Sequence, residues 1–200
     1  MPMITVHGRP NSSNVAKVMW TLAELGVEHR RLDVGGPFGG NKDAAYLGMN
    51  PNGLIPLLVD GPARIWESNA IVRYLGATYG AGTFWPVDAA ARSLSDRWMD
   101  WGTIYLYPKV IALMTAKAPE ALDKAIADVA APCAILDGAL ADSRFLAGDE
   151  LSIGDIPVAI HLGRLFRLAA GHLPYPNLER YFQELNARPA YRTHCLEALA

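Results

Sequence analysis

Two short segments carry residue types suited to the backbone and to the charged end of a small peptide. The first, Asn50-Pro51-Asn52-Gly53-Leu54-Ile55-Pro56-Leu57-Leu58-Val59-Asp60, reads as a loop that enters a strand at a proline. Proline fixes φ and removes one ladder donor. With a cis Ile55–Pro56 bond, the backbone groups of Ile55 turn outward, where an extended peptide can pair with them. The second, Trp66-Glu67-Ser68-Asn69-Ala70-Ile71, reads as the opening of a helix. There Glu67 and Ser68 place a carboxylate, a hydroxyl and free N–H groups at one point, which suits an amine and a carboxylate. A third stretch, Arg9 to Asn14, sets Asn11, Ser12, Ser13 and Asn14 directly before a helix at Val15. Hydroxyl and amide donors beside a helix N-terminus favour an anion, and Arg9 adds full positive charge. Ser and Asn are equally ordinary N-caps, so both readings stand at this level.

The elements that must position these residues follow from periodicity. Residues 3–6 form a short strand candidate, and Val15, Val18, Met19, Leu22 and Leu25 then recur at helical spacing up to Gly26, which is placed to stop the helix. Residues 28–34 are strand-like but polar, as expected of a sheet edge; 35–40 are glycine-rich loop, and 42–48 a helical turn. Ile55 to Val59 reads as a buried strand, Arg64 to Trp66 as a shorter one, and Ala70, Ile71, Tyr74 and Leu75 as a helix. The order βαβ, weak helix, ββα implies a small mixed sheet with a parallel pair and an antiparallel hairpin.

After a Gly/Pro-interrupted linker at 81–88, no strand signal remains. Leu94, Trp98, Trp101 and Tyr105 share a helical face, with Trp98 assigned to the core, and Pro108 is expected to kink or end that helix. Leu122, Ile126, Val129, Cys133, Leu136 and Leu140 mark a long helix in which Pro132 predicts a bend or a break, and Leu178, Tyr181, Phe182 and Leu185 mark a later one. Ser152-Ile153-Gly154-Asp155 has the form of a reciprocal N-cap and reads as structural, with Ile156, Ile160 and Phe166 on one face behind it.

Composition narrows the function classes. A 51% hydrophobic, 19% charged chain of 200 residues is a folded globular protein, and its net charge of −2 comes with no basic run to track a phosphate backbone. Nucleic-acid binding is disfavoured. No apolar stretch approaches the roughly 20 residues of a spanning helix, and Met1 to Val6 is too short for a signal peptide. Cys133 and Cys195 form no Cys-x-x-Cys, no His/Cys cluster has metal-ligand spacing, and the expected setting is cytoplasmic, without a metal.

Ile-Pro before a strand followed by Glu-Ser-x-Ala-Ile at a helix start resembles the glutathione-binding half of the cytosolic glutathione transferases, and the resemblance spans nearly all of the chain. Gly8 to Val15 and Val34 to Gly40 look like a bacterial subgroup with an Asn/Ser-type first turn. The resemblance implies a thioredoxin-like domain at 1–80 (an α/β mixed sheet, βαβαββα), the linker at 81–88, an all-helical bundle domain at 89–200, and a homodimer. It implies that Leu54, Ile55, Pro56, Glu67 and Ser68 hold glutathione, with Phe38, Gly39 and Lys42 near its glycyl end. It also implies an electrophile pocket between the domains from Trp101, Tyr105, Tyr107, Pro108 and Lys109, with Phe166 opposite.

The first turn departs from better-known classes. It holds neither tyrosine nor cysteine, and Arg9 stands where theta-like members carry serine. The thiol activator is therefore expected at Asn11 or Ser12, with Ser13 third. The implied function is transfer of the glutathione thiolate to a small electrophile, with dehalogenase or peroxidase chemistry as side activities. A non-enzymatic binding or regulatory protein, or a glutathione-dependent disulfide reductase, are the competing readings.

Overall fold

A computed structural model describes residues 3–82, 84–169 and 171–199. Of the expected division, Met1, Pro2, Thr83, Ala170 and Ala200 lie outside the described residues. The N-terminal half is a four-stranded sheet in the order β2-β1-β3-β4, from β1 (Ile4–His7), β2 (His29–Leu32), β3 (Leu57–Asp60) and β4 (Ala63–Trp66). β1 and β2 are parallel and the other pairs antiparallel. Helix α1 (Ser13–Glu24) joins the parallel strands, and α2 (Ala44–Leu47) and α3 (Ser68–Tyr79) complete the unit.

Alternation along β1 decides the layers. Ile4 and Val6 face α1 and α3 in a core with Val15, Val18, Met19, Leu22, Leu58, Ile71 and Leu75. His7, on the opposite face, meets Tyr46 of α2 edge-on at 6.0 Å. β2 is the polar edge expected from its sequence. Its arginines turn back onto β1 and the residue after it: Arg30 Nε donates to Thr5 Oγ1 at 2.9 Å and Arg31 to the Gly8 carbonyl at 2.8 Å.

The second half is helical. Helix α4 (Ala89–Trp101) runs through a π-helical segment (Gly102–Leu106) into α5 (Tyr107–Thr115). α6 (Pro119–Ala139), α7 (Asp155–Ala159), α8 (Leu162–Leu168), α9 (Pro176–Asn186), α10 (Pro189–Tyr191) and a second π segment (Arg192–Glu197) follow. No helix among the described residues is long and apolar enough to cross a membrane.

Four expectations need correcting or narrowing. The buried face of α4 and its extension is Ser95, Trp98, Met99, Gly102 and Leu106, whereas Leu94 and Tyr105 are exposed and Trp101 half-buried. The face is set by a close approach: a Cβ on Gly154 would lie 2.5 Å from the Ser95 carbonyl, and one on Gly102 3.0 Å from Val158, so this side must meet α7. Pro108 does not end the helix. It has no N–H to donate one turn back, and the backbone upstream widens so that the Tyr107 N–H bonds the Gly102 carbonyl five residues earlier. Pro132 does not break α6, which continues through it with the ring buried. Phe166 falls on α8, separate from Ile156 on α7, and stacks on Phe182 at 4.6 Å.

The Ser152 box folds as expected and goes further. Asp155 is fully buried. One carboxylate oxygen accepts from the Ser152 N–H and hydroxyl (2.8 and 3.1 Å), the other from the Leu146 N–H and the Tyr181 hydroxyl (3.0 and 2.9 Å). A second core, that of the helical half, reaches into the first half, where Ala16, Trp20 and Val72 join it and Trp20 meets Tyr191 edge-on at 5.0 Å. Glu24 takes both ends of the Arg188 guanidinium at 2.9 and 2.6 Å, and Arg73 reaches Asp96 and Asp100.

Candidate functional site

Strand register brings the three chemistry-bearing segments together. His7 pairs with Leu32 and Leu57, and Leu57 with Trp66. One residue beyond these partners stand Gly8, Pro56 and Glu67, so the Arg9–Asn14 turn, the Ile55–Pro56 edge and the Glu67–Ser68 turn open at the same end of the sheet. The glycine loop joins them: a Cβ on Gly35 would lie 3.2 Å from the Ile55 side chain and one on Gly36 3.0 Å from that of Arg9.

The Ile55–Pro56 bond is cis. The loop before it is held by buried Asn50, whose amide donates to the Leu54 carbonyl at 2.8 Å, and by the Tyr46 hydroxyl, which donates to the same oxygen at 2.6 Å. Asn41 donates to the Gly53 carbonyl at 2.8 Å and Lys42 to that of Asn52 at 3.2 Å. Gly53 has φ +58°, and a Cβ there would fall 2.8 Å from the Asn41 carbonyl, so the turn requires glycine. The backbone N–H and C=O of Ile55 have no hydrogen-bond partner among the described residues. Leu54 and Phe38 are exposed, with Gly39 beside the latter.

Glu67 alone among the described non-glycine residues has a positive φ, +68°. That conformation costs about 1–3 kcal/mol and persists where its surroundings impose it, commonly at ligand sites. Its exposed side chain has no bonded partner among the described residues, whereas Ser68 is buried and donates to Asn14 Oδ1 at 3.1 Å.

On the α1 side, Ser12 occupies the N-cap position without a side-chain cap bond, so its hydroxyl and the first N–H groups of the helix have no hydrogen-bond partner among the described residues. Arg9 holds Asn11 by its oxygen (2.5 Å), which turns the amide nitrogen away as an available donor. Ser13 accepts from Arg164, across the domain junction, at 2.5 Å.

Lys17 is a site residue that sequence reasoning does not find; it lies between the helix-spaced Val15 and Val18. It is 5% exposed and donates to Ser68 Oγ at 3.4 Å and Asn69 Oδ1 at 3.3 Å. Burial pushes its pKa down to about 8, although Glu67 pulls the other way. Holding it charged costs the fold about 3 kcal/mol at neutral pH, from the difference between 10.5 and 8. Asn69 also donates to the Met99 carbonyl and Thr103 Oγ1, both at 3.0 Å, tying the Glu67–Ser68 turn to the helical domain.

The expected electrophile residues divide. Trp101, Tyr105 and Lys109 line a cavity of about 400 Å³ with Ala131, Pro132 and Ile135 of α6. Phe166 is not among them, and Pro108 is exposed at the start of α5. Tyr107 lies instead against buried His161, at 5.1 Å. Burial, with Lys17 and Arg164 nearby, pushes the His161 pKa to about 3 and keeps the ring neutral.

This geometry meets an independent finding. Residues 1–77 match the family model for the glutathione S-transferase N-terminal domain, and residues 101–189 that for its C-terminal domain. The chain belongs to the glutathione S-transferase family. It is 42% identical over 95% of its length to glutathione S-transferase GstB of Escherichia coli K12, and covers 96% of that protein. A theta-class glutathione S-transferase from Xanthomonas axonopodis pv. citri, solved with glutathione bound, superposes with a TM-score of 0.88 at 38% identity over the whole of both chains. The disulfide-bond oxidoreductase YghU of E. coli K12 is 29% identical over 92% of this chain and 70% of its own. Fold and family make this chain a glutathione transferase with a thioredoxin-like first domain.

Proposed function

We propose that this transferase binds glutathione along the Ile55 edge, lowers the pKa of its thiol at the start of α1, and presents the thiolate to a small electrophile. The convergence of Ile55, Glu67–Ser68 and the uncapped α1 at one end of the sheet carries the reading. Ser68, turning its hydroxyl hydrogen from Asn14 Oδ1 to the ligand, and the first N–H groups of α3 take the γ-glutamyl carboxylate, and Glu67 takes the ammonium. Ile55 pairs its free backbone groups with the cysteinyl unit beside Pro56. Leu54, Phe38, Gly39 and Lys42 flank the glycyl end.

The sulfur then faces Ser12 and Asn11, with Ser13 and Arg9 behind them. A thiol of pKa about 8.5 is mostly protonated at neutral pH; two donors and a helix N-terminus favour the anion. The thiolate forms a sulfur–carbon bond as the leaving group departs with its electron pair, so halide displacement lies within the same chemistry. The relative from Xanthomonas, solved with glutathione bound, supports the ligand. Trp101, Tyr105 and Lys109, with Ala131, Pro132 and Ile135 of the same helical domain, offer an apolar wall with one cation for the electrophile, and Pro108 stands outside it. We assign this chemistry to detoxification, and two buried cysteines left as thiols agree with a reducing, cytoplasmic setting.

Ser12→Ala and Asn11→Ala should each raise the pKa of the bound thiol by about one to two, the worth of one charge-assisted hydrogen bond. Thiolate absorbance against pH reads it; an unchanged titration in both variants places the activator elsewhere. A homodimer is expected. Light scattering should give about twice the 21.7 kDa chain mass, and a value near 21.7 kDa at micromolar concentration would refute it.

Glutathione-dependent disulfide reduction is the second reading, favoured by the likeness to the E. coli oxidoreductase. Turnover of a small disulfide with glutathione, against turnover of halogenated acids, epoxides and nitroaryl chlorides, separates the two. A binding protein without activity would turn over none of them.

A further inference from the structure

We propose that the Lys17 ammonium is the counter-charge of the γ-glutamyl α-carboxylate, acting from beneath the Ser68 hydroxyl that it already holds. The inference rests on the glutathione site described above and adds a residue to it. A buried cation is costly unless an anion balances it. No carboxylate of the described residues lies within 4.0 Å of Lys17 Nζ. Its partners are the Ser68 hydroxyl and the Asn69 amide oxygen, which are neutral and distant at 3.4 and 3.3 Å.

The surroundings on every packed element leave the charge unanswered. From α3, Glu67 supplies the negative charge that favours the ammonium, but its own side chain is exposed. From the helical domain come neutral His161 and cationic Arg164, the latter committed to Ser13. Asn14, on α1 itself, accepts from Ser68. The positive charge therefore points at the place where Ser68 and the α3 N–H groups meet an anion. A ligand carboxylate arriving there satisfies Lys17, Ser68 and the helix end together. Glu67, on the solvent side of the same turn, is left for the ammonium.

The test compares glutathione with its decarboxylated analogue, γ-aminobutyryl-cysteinyl-glycine, which keeps the amine and lacks the α-carboxylate. Calorimetry at pH 7 should show the wild-type chain binding glutathione at least tenfold more tightly than the analogue. In Lys17→Gln and Lys17→Met that ratio should fall by at least about threefold, because only the carboxylate complex loses a partner while Ser68 and the α3 N–H groups still favour the carboxylate. Melting temperatures no lower than wild type are expected of Lys17→Met, since the buried charge is gone, and they separate lost binding from lost folding. S-methylglutathione, which has no thiol to ionise, should bind the wild type less tightly as pH rises through about 8, the pKa of Lys17, and that weakening should be smaller in Lys17→Met. Variants that keep the wild-type ratio and pH profile overturn the role of Lys17 while leaving the glutathione site standing. A wild-type chain that binds neither peptide overturns the site and this role together.

Discussion

Glu67→Gln should weaken glutathione binding by about 10- to 100-fold while leaving the melting temperature nearly unchanged. The magnitude is that of one hydrogen bond to a charged group, about 1.5–3 kcal/mol, because glutamine keeps the shape and loses the charge that meets the ammonium. The fold should not notice: the side chain is exposed and has no partner among the described residues, and such surface changes stay within about 0.5 kcal/mol. Glu67→Gly makes the sharper contrast. Glycine adopts φ +68° without the side-chain penalty, so this variant should melt at or above wild type and yet bind poorly. Calorimetric affinity equal to wild type in both would contradict the site. A Glu67→Gly protein that melts well below wild type would contradict the strain argument.

Asp155→Ala should cost about 3–5 kcal/mol, well above the roughly 1–2 kcal/mol that its capping box alone suggests. The side chain is buried and takes four donors, from Leu146, Ser152 twice and Tyr181. Removing it strands two N–H groups and two hydroxyls in the core of the helical domain. Against a total stability of about 5–15 kcal/mol this is a drop of about 10 °C in melting temperature, read by calorimetry or circular dichroism. Asp155→Asn should also be destabilising, since both oxygens accept and an amide nitrogen would face donors. A loss below 1 kcal/mol in Asp155→Ala would show that the network contributes no more than an ordinary cap.

The difference between those two estimates shows where sequence reading ends. Ser-x-x-Asp spacing reveals the local cap, but Tyr181 and Leu146 arrive from other elements, and spacing carries no trace of them. The first sheet was legible because alternation and helical period there agree with simple turn chemistry. β2 was read correctly as an edge from its arginines, and Gly26 as a stop. Faces in the helical half were less legible. Leu94, Trp101 and Tyr105 are apolar at helical spacing, yet the buried side is the one with small Ser95 and Gly102, because α7 approaches too closely for anything larger.

The site divides in the same way. Ile55-Pro56 and Glu67-Ser68 announce themselves as contiguous pairs. Lys17 does not, since a lysine on an amphipathic helix is ordinarily a solvated one, and α3 and the helical domain that cover it come from elsewhere in the chain. At about 100° per residue Lys17 falls nearly opposite the stripe of Val15, Val18, Met19 and Leu22, on the side of Trp20 that the helical half covers, so helical period in α1 alone gives no sign of its burial. Arg164, whose contact with Ser13 spans 151 residues of sequence, gave no signal at all.

Crystals grown with millimolar glutathione would test the central claim most directly. The account predicts an extended tripeptide with its cysteinyl backbone paired to Ile55, its γ-glutamyl carboxylate at Ser68, its ammonium at Glu67 and its sulfur within hydrogen-bond reach of Ser12 or Asn11. An empty crevice at that concentration, or a peptide bound elsewhere, would contradict it.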